Sequence, residues 1–475
     1  MIYSVCMNES IFWYDLETFG LSPFSDRIAQ AAGIRTDYDL NIISDPLLIY
    51  CRPTDDYLPS PQSCLVTGIT PQAALAKGVC EADFIEILNK EFSRPRTVVA
   101  GFNNINFDDE FIRNALYRNF FDPYEREYRN GCSRWDILDL VRACHDLRPE
   151  GIKFLHKNPS GAPAFKLVYL TEDNNIAQEG AHDAMVDIHA TINVAKLIKT
   201  KQPRLYNWYF THRTKESVST LIKTLTHDPV LYTCASFTSI YGCTRPIAPL
   251  GGHPEISNVI YAFDLTEDAS LLKEANPDEI LSVPGIIKIA LNKCPYIAPI
   301  EMLTKLPDVQ KRLNINISKV EKNLSLIKSD RTLLQRLSQS KEKRLYAEES
   351  DVDMRIYSDG YTTNRDKINF RLIREAKPQD KLYQNLHFDS DKANKMLFRQ
   401  VARNWPKYLT DKEKSMWKNF CATRLLQPIG RNLSFDSYMR AVNELLQSMD
   451  ISGKDKLVLV ALREWGESLH TRVLS

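Results

Sequence analysis

The chain of 475 residues lacks the features of a membrane or secreted protein. No apolar stretch approaches the roughly 20 residues that a membrane-spanning helix needs. The first ten residues carry no Lys or Arg ahead of an apolar core, which argues against a secretory signal. The 10 cysteines include no Cys-x-x-Cys pair and have no His or Cys partner at zinc spacing, which predicts reduced, packed thiols. These absences predict a soluble cytoplasmic protein.

Net charge is also small, at +1, but it is unevenly distributed. Residues 1–200 carry 19 basic and 28 acidic residues, residues 201–350 carry 20 and 16, and residues 351–475 carry 22 and 16. A domain that binds metal ions tolerates an excess of acidic residues, and positively charged segments can bind a polyanion such as a nucleic acid. Modest positive totals are also common on ordinary solvated surfaces, so charge alone does not decide between the two.

The first informative residues are two carboxylates at the end of a predicted strand. Residues 11–16 are apolar and aromatic except for Asp15, as expected of a buried strand. Residues two apart on a strand share a face, so Asp15 and Glu17 project together. Paired carboxylates repel each other unless a cation such as Mg²⁺ lies between them. Alone, the pair is equally compatible with an exposed strand end that enters a turn.

A third carboxylate, Asp108, follows a second apolar run. Residues 97–102 predict a strand, and a turn rich in Asn then leads into a helix that begins near Asp108. The helical spacing of its apolar residues places Asp108 beside the strand end. The helix dipole favours acidic residues in a first turn, which explains Asp109 and Glu110 and competes as an explanation of Asp108.

The last predicted residues of the site are His182 and Asp187. Asp183 is a predicted N-cap, so His182 lies just before a helix and Asp187 one turn inside it. A metal ligand must be rigid, whereas a general base must reach a water molecule. A lone histidine at a helix start is more often a cap or a surface residue. Its co-occurrence with four acidic residues, which lie on a strand, at a helix start and inside a helix, favours a two-metal nuclease site.

These residues resemble the DEDD exonucleases of the RNase H-like superfamily, and His-x4-Asp is the spacing of their histidine subgroup (DEDDh). Most of the chain is similar to the bacterial exonuclease I family, and the similarity is weaker over residues 296–350 and at the end of the chain. The matching segments are residues 14–20, 66–71, 101–110, 133–136, 147–152, 201–205, 249–254 and 292–295.

The length of the chain predicts two or three domains, and the resemblance implies three. They are an α/β RNase H-like exonuclease domain (1–200), a middle domain containing an SH3-like β-barrel (201–350) and an α-helical C-terminal domain (351–475). Short apolar runs at 230–237, 259–265 and 286–291 predict strands of the middle domain, and the pattern becomes helical from residue 310. Residues 338–353 are charged and poor in apolar residues, which predicts a linker.

The resemblance also implies a mechanism. Asp15, Glu17, Asp108 and Asp187 would hold two Mg²⁺ ions, with Mn²⁺ as an alternative, and His182 would act as general base. Single-stranded DNA would be degraded from its 3′ end to 5′-mononucleotides, processively, in DNA repair and recombination. Glu17 would contact the terminal 3′-hydroxyl as well as metal.

Further positions resemble DNA contacts of the family: Arg113, Tyr124, Tyr128, Arg142 and Lys166. The arginines are equally explained as solvated or ion-paired residues of helices, and the tyrosines as packing residues at i and i+4 spacing. At position 166 the family has Arg and this chain has Lys. The lysine keeps the positive charge but cannot bind a phosphate through two parallel hydrogen bonds.

The family also binds the acidic tail of single-stranded DNA-binding protein, for which Arg148 and nearby cations are candidates. The chain has no heptad seam, so we expect a monomer. One alternative is the same chemistry on RNA or in polymerase proofreading, but the 275 residues after position 200 argue against it. Another is a non-catalytic single-strand-binding scaffold, which would not need all five site residues.

Overall fold

The fold is described from a computed structural model of the chain. The described residues are 9–177, 183–340, 351–357, 363–383, 386–389, 391–428, 432–448 and 451–475.

The first part of the chain is built on a five-stranded mixed sheet. Its strands lie in the order β3-β2-β1-β4-β5. The central strand β1 pairs antiparallel with β2 and parallel with β4, which in turn pairs parallel with β5. The strands are β1 (Ser10–Thr18), β2 (Ile28–Thr36), β3 (Leu47–Tyr50), β4 (Thr97–Gly101) and β5 (Ser133–Asp136).

Helices surround this sheet, which confirms the predicted α/β character. Helix α7 packs on β1 and β2, and α5 and α8 pack on α7. The helices are α1 (Pro61–Thr67), α2 (Pro71–Lys77), α3 (Glu81–Phe92), α4 (Asp108–Arg118), α5 (Ile137–Leu147), α6 (Leu167–Asp173), α7 (Ala184–Lys201), α8 (Pro203–Thr211) and α9 (Lys215–Leu221).

A second sheet forms the middle of the chain, with the strand order β10-β6-β7-β8-β9 and antiparallel pairing throughout. Its strands are β6 (Val230–Thr233), β7 (Thr244–Gly252), β8 (Val259–Asp264), β9 (Ile286–Ala290) and β10 (Tyr296–Pro299). The helices of this part are α10 (Ser270–Glu274), α11 (Glu301–Lys305), α12 (Pro307–Leu313), α13 (Ile317–Ser329) and α14 (Leu333–Gln339).

The described residues after 351 are helical, as predicted, and contain no strand. Their helices are α15 (Asn364–Glu375), α16 (Asp391–Asn404), α17 (Asp411–Leu426), α18 (Phe435–Leu446) and α19 (Gly453–Leu469). Short 3₁₀ segments connect the elements along the chain, and the last turn is a π-helix over His470–Leu474.

The prediction of a linker over residues 338–353 is wrong at its C-terminal end. Asp351 and Asp353 are buried and ion-paired with arginines of α16 and α17. Because buried partners neutralise these two carboxylates, their charge does not indicate a solvated chain. Residues 341–350 lie outside the described residues.

No helix among the described residues is long and apolar enough to cross a membrane. The nine cysteines of the described part are all free, and seven of them are buried.

Candidate active site

The first two predicted ligands lie at the C-terminal end of β1. The strand is apolar and aromatic up to Tyr14, and its burial fixes the position of the carboxylates that follow. Asp15 and Glu17 are two residues apart and therefore project from the same face. The side chain of Glu17 is largely buried, although it carries a carboxylate. A buried pair of carboxylates needs a compensating cation.

Asp187 joins this pair from α7. Asp183 caps the helix, accepting a hydrogen bond from the amide of Met185 at 3.0 Å, as the sequence predicted. One turn later the carboxylate of Asp187 meets those of Asp15 and Glu17: an oxygen from each lies within 4.8 Å of the others. The packing of α7 on β1 therefore assembles a three-carboxylate cluster from residues distant in sequence.

Asp108 is the first residue of α4 and lies beside the same strand. Its Oδ1 accepts a hydrogen bond from the backbone amide of Leu16 at 3.1 Å. This amide lies between Asp15 and Glu17 in the chain, so the bond fixes α4 against the strand that carries both. The geometry agrees with the predicted position of Asp108 at the strand end.

Burial, followed by mutual repulsion, dominates the electrostatics of Asp15, Glu17 and Asp108. Burial and the charge of Asp187 raise the pKa of Asp15 to about 8. Burial, followed by the charges of Asp15 and Asp187, raises the pKa of Glu17 to about 9. Burial and Asp15 also raise the pKa of Asp108 well above its usual range. Carboxylate oxygens are the donors that hard divalent ions prefer, so the donor set fits such ions.

Three protein-family models match consecutive parts of the chain. Residues 12–195 match "Exonuclease", residues 213–343 match "Exonuclease I SH3-like domain", and residues 350–469 match "Exonuclease I C-terminal domain". Exodeoxyribonuclease I of Haemophilus influenzae is 40% identical over 433 residues, which cover 88% of this chain and 90% of the relative. The chain belongs to the exonuclease I family.

Solved structures of exonuclease I agree with this assignment along almost the whole chain. The Escherichia coli enzyme in complex with a dA16 oligonucleotide superposes with a TM-score of 0.91 at 35% identity, covering 97% of this chain and 100% of that one. A structure of SSB/exonuclease I in complex with an inhibitor superposes with a TM-score of 0.90 at 35% identity, with the same coverage.

Membership confirms the predicted fold and activity. The three parts are an exonuclease domain, an SH3-like domain and a helical C-terminal domain, and the chain is a 3′-to-5′ exodeoxyribonuclease that acts on single-stranded DNA. Exonucleases of this type use divalent metal ions, in agreement with the carboxylate cluster.

The predicted base, His182, lies outside the described residues. Its role as general base therefore stays a prediction for this member of the exonuclease I family.

The interpretation of Asp109 as a residue that merely suits the helix dipole is incomplete. Its side chain is fully buried and accepts hydrogen bonds from Tyr14 at 2.6 Å, Arg126 at 2.7 Å and Arg134 at 2.8 Å. The positive charges of Arg126 and Arg134 hold the pKa of Asp109 well below its usual range despite burial. The sequence signal was the unusual density of arginines between residues 126 and 134, which seek acidic partners when buried.

The two arginines predicted to contact DNA are engaged within the protein. Arg113 binds Glu127 through two nitrogens, at 2.7 and 2.9 Å, and Glu110 through a third at 2.7 Å. Arg142 donates to Asp139 at 2.6 Å. Both arginines also lie in helices, as predicted. These ion pairs agree with the alternative interpretation of both arginines as ion-paired helix residues. Their contact with substrate stays a prediction.

The other three predicted contacts differ in exposure. Tyr124 is half-buried, with Arg113 over its ring at 5.3 Å. Tyr128 is 66% exposed and presents its ring to solvent. Lys166 is exposed at the N-cap of α6, with its ammonium 5.5 Å from the ring centre of Tyr169. Tyr128 and Lys166 are therefore available to a ligand without rearrangement of an ion pair.

Proposed function

We propose that this exonuclease removes 5′-mononucleotides in succession from the 3′ end of single-stranded DNA, using two divalent ions at the carboxylate cluster. The observation that carries the proposal is the meeting of Asp15, Glu17 and Asp187, whose oxygens lie within 4.8 Å of one another. Asp108 is fixed beside them by the amide of Leu16. Mg²⁺ suits this all-oxygen donor set, and Mn²⁺ is the alternative ion.

Each ligand has a distinct place in the reaction. Asp15, Asp108 and Asp187 would hold the ions, and Glu17 would hold metal and also receive the terminal 3′-hydroxyl. When bound, two such ions activate a water molecule and stabilise the departing 3′ oxygen. His182 takes the proton of that water as general base, since an imidazole titrates near neutral pH.

Two features beyond the cluster support a single-stranded DNA substrate. The structure of the Escherichia coli enzyme, which superposes on 97% of this chain, contains a dA16 oligonucleotide. In this chain, residues 201–350 and 351–475 have net charges of +4 and +6, against −9 for residues 1–200. Phosphate neutralisation by the later parts and stacking on Tyr128 would hold the strand while its 3′ end lies at the metals.

The same arrangement leads us to propose processive digestion by a cytoplasmic monomer. The first domain, residues 1–200, hydrolyses the strand. The other two domains, residues 201–350 and 351–475, retain it.

A separate pocket is our candidate for the acidic tail of single-stranded DNA-binding protein. Arg148 and Arg204 flank a cavity of about 200 Å³ where the nuclease part meets β10. Trp208, Ala298 and Met302 supply apolar walls. Two cations beside an apolar pocket suit an acidic peptide that also carries apolar side chains. The solved SSB/exonuclease I structure supports the existence of this partnership in a relative.

Substrate specificity is tested by comparing single-stranded DNA, duplex DNA and RNA of one sequence with Mg²⁺. We expect rapid release of 5′-mononucleotides from single-stranded DNA only, and a block at the 3′ end should stop it whereas a block at the 5′ end should not. Faster digestion of RNA would favour the alternative substrate. Release of longer products from internal sites would contradict the proposed direction.

The partner site is tested with an acidic tail peptide at low salt. Arg148→Ala should weaken peptide binding by roughly tenfold or more, because it removes a charged hydrogen-bond donor. Arg440→Ala, at an exposed position of α18, is the matched control and should bind as the parent does. Equal affinities for all three proteins would contradict this location.

A further inference from the structure

Lys166 occupies a position that does not favour a cation. It is the N-cap residue of α6, and its side chain makes no capping hydrogen bond. The preferred N-cap residues are Ser, Thr, Asn and Asp, and the positive end of a helix repels an ammonium group. The first turn of α6 contains no acidic residue that would offset this repulsion. The stability of the helix therefore does not explain a lysine here.

The ammonium group of Lys166 has an aromatic ring as its neighbour. Its Nζ lies over the ring of Tyr169, one turn later in α6, at 5.5 Å from the ring centre. This distance is within the range in which the ring attracts a cation. No ion pair joins Lys166 to a carboxylate in the described part of the chain, and its side chain is exposed. The charge of Lys166 is therefore placed by a ring but not neutralised.

The ring of Tyr169 is held in turn by His156. The two rings are stacked, with 4.2 Å between their centres and 3° between their planes. Two carboxylates of the last turn of α6 fix the imidazole. Its Nδ1 lies 2.9 Å from Asp173, and its Nε2 lies 3.4 Å from Glu172. The imidazole therefore cannot turn away from Tyr169 without breaking contacts with both acids.

The loop that carries His156 is fastened along α6. The other oxygen of Asp173 accepts a hydrogen bond from the amide of Leu155 at 2.7 Å. Lys153 donates its amide to the side chain of Asn174 at 2.9 Å, and Asn174 donates back to the carbonyl of Lys153 at 3.0 Å. These bonds make the stack of His156 on Tyr169 a fixed feature of the nuclease part.

The helix that presents Lys166 adjoins the candidate active site. α6 packs on α7, which carries Asp187. An exposed ammonium group without a carboxylate partner binds a phosphate oxygen well, and each phosphodiester of a DNA strand carries one negative charge. Lysine acts on phosphate as a point charge on a flexible stem, so its contact depends on how that stem is placed.

We propose that Lys166 binds a backbone phosphate of the substrate strand and that Tyr169 and His156 are positioning residues, which hold its ammonium group in place. The proposal rests on the proposed function, because the phosphate belongs to the same substrate. Tyr169 and His156 act through Lys166. Their loss weakens binding of the strand and leaves the hydrolysis of bound strand unchanged.

The test is a double-mutant cycle of Tyr169→Leu and Lys166→Met, with KM and kcat measured on a short single-stranded oligonucleotide. We expect Tyr169→Leu to raise KM by roughly two- to fivefold, the worth of an exposed cation over a ring, with kcat within about twofold of the parent. Tyr169→Phe keeps the ring and should match the parent. In the Lys166→Met background, Tyr169→Leu should have no further effect.

Equilibrium binding without divalent metal tests the phosphate contact itself. Lys166→Met should lower the slope of log Kd against log salt concentration by about 0.7, the value for one phosphate contact on a single strand. Tyr50→Leu is the matched control, because Lys77 of α2 lies over the Tyr50 ring at 5.3 Å. This control should bind and digest DNA as the parent does.

An equal rise in KM from Tyr169→Leu in both backgrounds would overturn the proposal, because the tyrosine would then act independently of Lys166. An unchanged KM, or an unchanged salt slope in Lys166→Met, would also overturn it. If Tyr169→Leu does not fold, His156→Ala takes its place in the cycle, since the His156 side chain is 37% exposed on a loop. The proposed function fails separately, if the parent protein does not hydrolyse single-stranded DNA.

Discussion

Arg134 donates a hydrogen bond to the buried carboxylate of Asp109 at 2.8 Å, one residue after the predicted metal ligand Asp108. Arg126 binds the other oxygen of Asp109 at 2.7 Å. The start of α4 is therefore fixed by two buried cations, and the carboxylate next to the metal site is saturated by protein donors. Asp109 serves to hold Asp108 in place and is not available to an ion.

Removing the charge of Asp109 should destabilise the protein and impair catalysis together. Asp109→Asn leaves the buried guanidinium of Arg126 without its paired carboxylate, whereas Arg134 keeps Glu127 at 3.0 Å, and the loss costs about 3–5 kcal/mol of unfolding free energy. We also expect slower hydrolysis, because Asp108 loses its fixed position. Urea unfolding and single-turnover digestion check both effects. An unchanged unfolding free energy would contradict the buried network.

Protons and metal ions should compete for the carboxylate cluster. Without metal, the pKa of Asp15 is about 8 and that of Glu17 about 9, so both groups hold protons at neutral pH. Metal binding must displace these protons, so affinity rises as pH rises and levels off once the carboxylates are ionised. The metal concentration that gives half-maximal activity should fall roughly tenfold per pH unit between pH 6 and 8 for each displaced proton. A value independent of pH would contradict carboxylate ligands with raised pKa values.

A buried ionic cluster should make attachment of the C-terminal part sensitive to acid. Asp56 of the nuclease part binds Arg403 at 2.8 Å and Arg424 at 2.6 Å. These cations hold the pKa of Asp56 well below its usual range, and they do the same for Asp353. A carboxylate with a lowered folded-state pKa stabilises the fold above its unfolded pKa of about 4, and that stability is lost as pH falls through the folded value.

Unfolding free energy should therefore decline between about pH 5 and pH 2, and Asp56→Asn should flatten this decline. At neutral pH the same variant should lose about 1.5–3 kcal/mol of unfolding free energy, since it removes a charged acceptor from Arg403 and Arg424, which keep Asp353 and Asp351 as partners. Urea titrations of both proteins at several pH values provide the measurement. Parallel pH profiles for the parent and the variant would show that Asp56 is not responsible.

The sequence predicted the site better than it predicted the connections between parts. Asp15, Glu17 and Asp187 could be identified because strand and helix periodicities are local properties, and the structure brings the three together. The partners of Asp109 and Glu110 could not be identified in this way, because they lie far along the chain, at residues 126–134, 293 and 357. Sequence spacing gives no distance for pairs so far apart.

Strand prediction failed where turn-forming residues lie within a strand. The strand β7 was not predicted, because Pro246, Pro249 and two glycines interrupt its apolar pattern. A register shift between Pro249 and Gly251 accommodates the missing hydrogen bonds there. Residues 230–237 were predicted as one strand, but β6 ends at Thr233 and a 3₁₀ turn follows. Tertiary pairing decided both cases.

The most direct test of the catalytic assignment is Asp187→Asn, compared with Asp411→Asn as a control that removes one fully exposed carboxylate. Single-turnover digestion of single-stranded DNA is measured with saturating Mg²⁺, alongside thermal unfolding to confirm that both variants fold. We predict that Asp411→Asn digests at the parent rate, whereas Asp187→Asn loses at least about 100-fold in rate because a metal ligand is gone. Digestion by Asp187→Asn at the parent rate would contradict the assignment of the metal site.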